Sequence, residues 1–160
     1  MPEIIESFDA VSTGKWTEIE NLHYTYKFLG NVDVSKIDEI KESLKNYLKE
    51  YESVFQIGGM GAFPNPESPK LLFARVFNQD KSVFYYFNGI EKAMIKLGFE
   101  KERRRFVPHV TMKRLKSFTP EFPEIMEKMK DTSFGLMKSY KINLIESTLT
   151  PTGPIYNIIA

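Results

Sequence analysis

Only two histidines occur in this chain, and each opens the same five-residue pattern: His23-Tyr24-Thr25-Tyr26-Lys27 and His109-Val110-Thr111-Met112-Lys113. With nine threonines among 160 residues, one histidine meets Thr at the second position on by chance about one time in eighteen, and both do so about once in three hundred. A match at that level marks an internal duplication, which constrains architecture before any single element does.

The surrounding elements repeat with it. A helix is expected over Pro2–Ala10, a strand over Leu22–Leu29, and a helix over Ser35–Tyr51 with Ile37, Ile40, Leu44, Leu48 and Tyr51 at helical spacing. Ser35 with Asp38 resembles a capping box for that helix. Extended segments follow at Val54–Phe63 and Leu71–Phe77, separated by the Pro-rich turn Pro64–Pro69. The second copy runs through a helix at Lys81–Leu97, a strand at Val107–Lys116, a helix at Pro120–Lys130, and strands at Tyr140–Leu149 and Ile155–Ile159. The expected architecture is therefore α+β: one domain over residues 1–160, made of two similar lobes, about 1–77 and 78–160, facing each other across a cleft.

Strand geometry gives the pattern its chemistry. Side chains alternate with period two, so in a regular strand His, Thr and Lys share one face, while Tyr24, Tyr26, Phe28, Val110 and Met112 take the other. Two such strands about a pseudo-twofold axis would gather two imidazoles and two hydroxyls around one point. Opening a cyclic phosphodiester with water needs a base for the water and an acid for the leaving alkoxide. Imidazole titrates near neutrality and can be either, so His23 and His109 can do both without a metal. The hydroxyls of Thr25 and Thr111 can donate to non-bridging oxygens. A lone strand histidine is ordinarily a hydrogen-bonded structural residue; the matched pair reverses that reading. Lys27 and Lys113 can be phosphate-neutralising cations or solvated edge residues. The basic run Lys101-Glu102-Arg103-Arg104-Arg105 can be a solvated loop or a phosphate clamp. Arg104 from this run and Arg114 after the second motif are the preferred substrate-binding arginines, although strict alternation turns Arg114 away from the histidine face unless a bulge intervenes.

Composition excludes several alternatives. The absence of cysteine removes disulfide scaffolds, thiolate zinc sites and cysteine nucleophiles. Histidine and carboxylate residues do not cluster at metal-ligand spacing, so neither metal nor cofactor is expected. A net charge of +1 offers no field for a long nucleic-acid footprint and favours a local contact such as a strand end. No apolar run approaches the roughly 18 residues of a membrane span, and the acidic N-terminus does not read as a signal peptide. A cytoplasmic monomer with no membrane partner is the expectation.

At these residues the chain resembles the RNA 2′,3′-cyclic phosphodiesterase family, also called 2′-5′ RNA ligases, within the two-histidine (2H) phosphoesterases. The first stretch of resemblance is Trp16 and then Glu20-Asn21-Leu22-His23-Tyr24-Thr25-Tyr26-Lys27-Phe28-Leu29-Gly30. The second is Arg104-Arg105-Phe106-Val107-Pro108-His109-Val110-Thr111-Met112-Lys113-Arg114. A weaker third is Glu146-Ser147-Thr148-Leu149-Thr150-Pro151-Thr152-Gly153 with Tyr156; Ile145 stands where the family usually has Tyr. The resemblance implies a bilobal fold, two pseudo-twofold-related antiparallel sheets flanked by helices about a central cleft. It implies metal-independent hydrolysis of an RNA-terminal 2′,3′-cyclic phosphate to a 2′-phosphate, with 2′-5′ ligation as the reverse. RNA 3′ ends or cyclic nucleotides would be the partners. By the same resemblance His23 would protonate the 3′-oxygen, His109 would activate water, Thr25 and Thr111 would hold the phosphate, and Arg114 is the family's post-motif arginine. Members usually begin with a strand before the first helix, so the first lobe is expected to lack that strand. A binding module that holds RNA ends or nucleotide phosphates without cleaving them is the competing reading.

Overall fold

A computed structural model describes residues 2–151 and 153–160. Its order is α1 (Pro2–Val11), β1 (Ser12–Trp16), α2 (Ile37–Leu44), β2 (Glu50–Phe63), β3 (Leu71–Asn78), α3 (Ser82–Lys96), β4 (His109–Phe118), α4 (Phe122–Met129), β5 (Ser133–Lys141), β6 (Ile145–Thr150) and β7 (Gly153–Ile158), with single 3-10 turns at Ile19–Asn21 and Val34–Lys36. The strands form a five-stranded sheet in the order β1-β4-β3-β2-β5 and a two-stranded β6-β7 hairpin. Among the described residues no helix is long and apolar enough to cross a membrane.

The chain divides into two compact units that interleave its halves, unlike the consecutive lobes expected from the repeat. The first comprises residues 2–25, 55–77 and 107–136; the second comprises 26–54, 78–106 and 137–160. In the first unit, α1 carries Ile4, Phe8 and Val11 on one stripe, and α4 carries Phe122 and Met126 on another. These meet Met60, Ala62 and Leu72 in one buried cluster, with the Phe8 and Phe122 rings 5.6 Å apart. Both rings are wholly buried, so truncating either to alanine costs about 3–5 kcal/mol. This cluster covers one side of the sheet, here the core face; the other side carries the histidine motifs.

The second unit packs α2 on α3. Ile40 and Leu44 are buried from α2, and Val83, Ile90 and Met94 from α3. The helix expected to reach Tyr51 ends at Leu44, and Tyr51 lies in β2 instead. Its ring sits 4.3 Å from Tyr86 and 5.3 Å from Tyr140, so tertiary packing overrides the helical spacing. The expected Ser35/Asp38 box is not formed: no side-chain bond caps α2 itself, and the cap lies on the preceding 3-10 turn Val34–Lys36. Asp33 accepts from the Ser35 backbone N–H at 2.8 Å and from the Ser35 hydroxyl at 2.6 Å.

Candidate active site

All four residues of the His/Thr pairs lie in the first unit, arranged around β4. Inside the sheet β4 pairs with β3 on one side, where Ala74 faces Val110, and with β1 on the other, where Trp16 faces Lys113. Beyond Trp16 the chain leaves the ladder. Thr17 still donates to the Met112 carbonyl at 2.8 Å, a 3-10 turn follows, and Tyr24 returns to bridge Val110 antiparallel. The first motif therefore does not form the regular strand expected over Leu22–Leu29; it touches β4 at one bridge. The edge available there is short, because β1 has already taken the neighbouring stretch of β4.

That single bridge sets the register of the motifs. With Tyr24 opposite Val110, His23 falls opposite Thr111 and Thr25 falls opposite His109. Directly opposed residues share a face at Cβ separations of about 4.5–5.5 Å, and the diagonal His23–His109 pair is separated by about 7–8 Å. The local twofold runs through the bridge and exchanges the two copies of the pattern, crossing each imidazole with the other copy's hydroxyl.

The two rings are held alike. His23 Nδ1–H donates to the Asn21 carbonyl at 2.7 Å, and His109 Nδ1–H donates to the Val107 carbonyl at 2.7 Å. A carbonyl can only accept, so Nδ1 carries hydrogen in each ring and Nε2 is the nitrogen that exchanges protons. Their surroundings differ. His23 is exposed, whereas His109 is half-buried with its ring 5.1 Å from Phe63 and 5.2 Å from Phe73. Phe63 and Phe73 stack on each other at 4.3 Å. Gly61 makes this possible, because a Cβ there would lie 2.3 Å from the Phe73 ring. Neither phenylalanine was singled out from the sequence; a glycine inside an apolar strand was the available signal of a close approach.

A β-bulge decides which cation joins the histidines. Phe73 pairs with Thr111, but Leu72 pairs with Lys113, leaving Met112 as an extra residue on β4. Alternation slips by one position there. Lys113 follows Leu72 onto the core face, and Arg114, opposite Leu71 and Lys15, returns to the histidine face. Arg114 is exposed, while Lys113 is only 1% exposed. The expectation that Lys113 shares the histidine face is thus corrected. Its ammonium donates to Asp9 Oδ1 at 2.6 Å, the Ser12 carbonyl at 3.0 Å and Ser12 Oγ at 3.1 Å, which engages its three hydrogens. Trp16 completes the arrangement: its Nε1–H donates to Asp9 Oδ1 at 2.9 Å, and its ring lies 5.1 Å from the ammonium. Hydrogen bonds from Lys113 and then Trp16 hold the Asp9 carboxyl below its ordinary pKa.

Lys27 and Arg104 belong to the second unit. Lys27 is also taken up structurally: its buried ammonium donates to Glu91 Oε2 at 2.8 Å and to the Glu100 carbonyl at 2.8 Å. The phosphate-neutralising role expected for the two motif lysines therefore has no support in where their ammonium groups sit. Arg104 is exposed and meets Glu102 at 3.4 Å. Among the described residues no three His, Cys, Asp or Glu side chains gather as a metal site would require.

The sequence pattern of the LigT-like phosphoesterases matches residues 3–73 and 77–156, nearly the whole chain in two stretches. The chain belongs to this family. Among relatives, it is 36% identical to the RNA 2′,3′-cyclic phosphodiesterase of Archaeoglobus fulgidus, over 96% of this chain and 85% of that one. It is 37% identical to the protein of the same name from Methanocaldococcus jannaschii, over 91% and 82%. The fold of a LigT-like phosphoesterase is also found in solved structures. A crystal structure of TT0787 from Thermus thermophilus superposes with a TM-score of 0.75 at 22% identity, covering 99% of this chain and 88% of that one. Escherichia coli LigT complexed with 3′-AMP superposes at 0.69 with 16% identity, covering 100% and 90%. The two matched stretches follow the sequence duplication, while the compact units of this LigT-like phosphoesterase cut across it.

Proposed function

We propose that this protein hydrolyses an RNA-terminal 2′,3′-cyclic phosphate to a 2′-phosphate, by acid–base catalysis from His23 and His109 without a metal. The observation that carries this reading is the crossed pairing at the Tyr24–Val110 bridge: two imidazoles in one tautomer, each opposite a threonine hydroxyl, on one face with Arg114. The relatives' names supply the substrate class.

Neutral His109 takes a proton from water through Nε2 as the water oxygen bonds to phosphorus. The bond from phosphorus to O3′ breaks, and O3′ takes the Nε2 proton of protonated His23. The products are a 2′-phosphate and a 3′-hydroxyl, and the two rings have exchanged protonation states. Half-burial against the stacked Phe63 and Phe73 rings fixes the ring of the base. Exposure of His23 lets it regain its proton from solvent. Thr25, Thr111 and Arg114 donate to the non-bridging oxygens as charge builds there.

The test is product identification. RNA ending in a 2′,3′-cyclic phosphate is incubated with the protein in excess chelator, and the terminal phosphate is located. Conversion to the 2′-phosphate at an undiminished rate is expected. Tight binding with no conversion would establish the binding module instead, and loss of turnover in chelator would rule out the metal-free route.

A further inference from the structure

On the histidine face, β3 presents Leu71, Phe73, Arg75 and Phe77 in one row. Phe73 is buried beneath His109, but Arg75 is exposed and Phe77 is 50% exposed. Arg75 stands directly opposite His109 in the ladder. Its guanidinium has no ion pair or side-chain hydrogen bond among the described residues, and Phe77 has no ring partner among them. Both lean the same way. Arg75 Cδ lies 3.7 Å, and Phe77 Cε2 3.6 Å, from where a Cβ of Gly59 would stand. Gly59 is on β2 with φ +71°, so the two side chains lie across β2, away from β4.

Strand spacing converts that direction into a distance. The motif pair straddles the first motif and β4, and β2 lies two strands beyond β4, so the guanidinium sits on the order of 10 Å from the reacting phosphorus. That is too far to touch the cyclic phosphate and suits the next backbone phosphate upstream. An exposed ring beside a guanidinium, over a bare glycine, is the combination that stacks one base and holds one phosphate of a single strand.

We propose that Arg75 and Phe77 form a subsite for the nucleotide preceding the cyclic-phosphate end, Arg75 holding its phosphodiester and Phe77 stacking its base. This inference rests on the phosphodiesterase reading above and adds to it a preference: the substrate is the end of a chain, not a free cyclic nucleotide.

The experiment compares adenosine 2′,3′-cyclic monophosphate with a dinucleotide bearing the same cyclic end. The wild-type protein is expected to favour the dinucleotide by about 10-fold or more in kcat/KM, and Arg75→Ala and Phe77→Ala each reduce that ratio about 5- to 10-fold. Arg75→Ala also flattens the salt dependence of log KM for the dinucleotide by about 0.7, the loss of one single-strand phosphate contact; Arg75→Lys restores the slope. A wild-type ratio near one, or variants that slow both substrates equally, overturns the subsite. Hydrolysis of neither substrate by the wild-type protein is a separate result, against the phosphodiesterase reading. In that event, titration of the uncleaved dinucleotide decides the subsite: equal affinity of wild type and Arg75→Ala removes it.

Discussion

The two copies of the motif carry the same residues in unlike settings. His109 heads a strand, β4, that is paired on both sides, and its ring rests against Phe63 and Phe73. His23 lies in irregular chain that touches β4 through one bridge and is exposed. Yet each ring makes the same Nδ1 contact, to the carbonyl two residues earlier. That contact is local, so it survives whether or not the strand forms. Burial and ring contacts depend on neighbours, so they diverge. Duplication supplied identical chemical groups, and the proposed division into base and acid rests on their different surroundings.

Two experiments break or sharpen that contrast. Replacing either histidine by alanine should lower kcat by about 10²- to 10⁴-fold with the fold retained. The roles separate with a substrate in which the leaving 3′-oxygen is replaced by sulfur, which departs without protonation. His23→Ala should recover much of its rate on that substrate and His109→Ala should not; equal recovery would erase the assignment.

The second comparison sets neighbouring cations against each other. Arg114→Ala should cost about 10²-fold in kcat/KM with no shift in Tm, because it removes a charge-assisted contact on the histidine face. Lys113→Met should do the reverse, lowering stability by roughly 1–3 kcal/mol through the orphaned partners Asp9 and Ser12, with a much smaller change in rate. A rate loss for Lys113→Met matching that of Arg114→Ala, at unchanged Tm, would return the lysine to the phosphate.

The smallest effect is in acid. The folded-state pKa of Asp9 lies below its ordinary value of 3.8, so its pairing stabilises the protein fully above that value and the contribution fades as pH falls through the folded pKa. Asp9→Asn should therefore unfold at lower temperature than wild type at pH 7, and the gap should close towards pH 2. A gap that stays constant with pH would mean that the carboxylate's charge plays no part in holding Lys113.

The chemistry of this protein was legible in its sequence to the extent that it is local. Repetition of His-x-Thr-x-Lys named the histidines and threonines. The helices expected over Pro2–Ala10, Lys81–Leu97 and Pro120–Lys130 match α1, α3 and α4, and the strands expected over Leu71–Phe77 and Val107–Lys116 match β3 and β4. Spacing misled where a partner intervened: Tyr51 continues a helical stripe but packs against Tyr86 and stacks on Tyr140 from within a strand. Only the tertiary structure decided which of Lys113 and Arg114 faces the histidines. A side chain's face depends on register, register is a property of two strands together, and the extra residue Met112 becomes a bulge only when Leu72 and Phe73 pair across it.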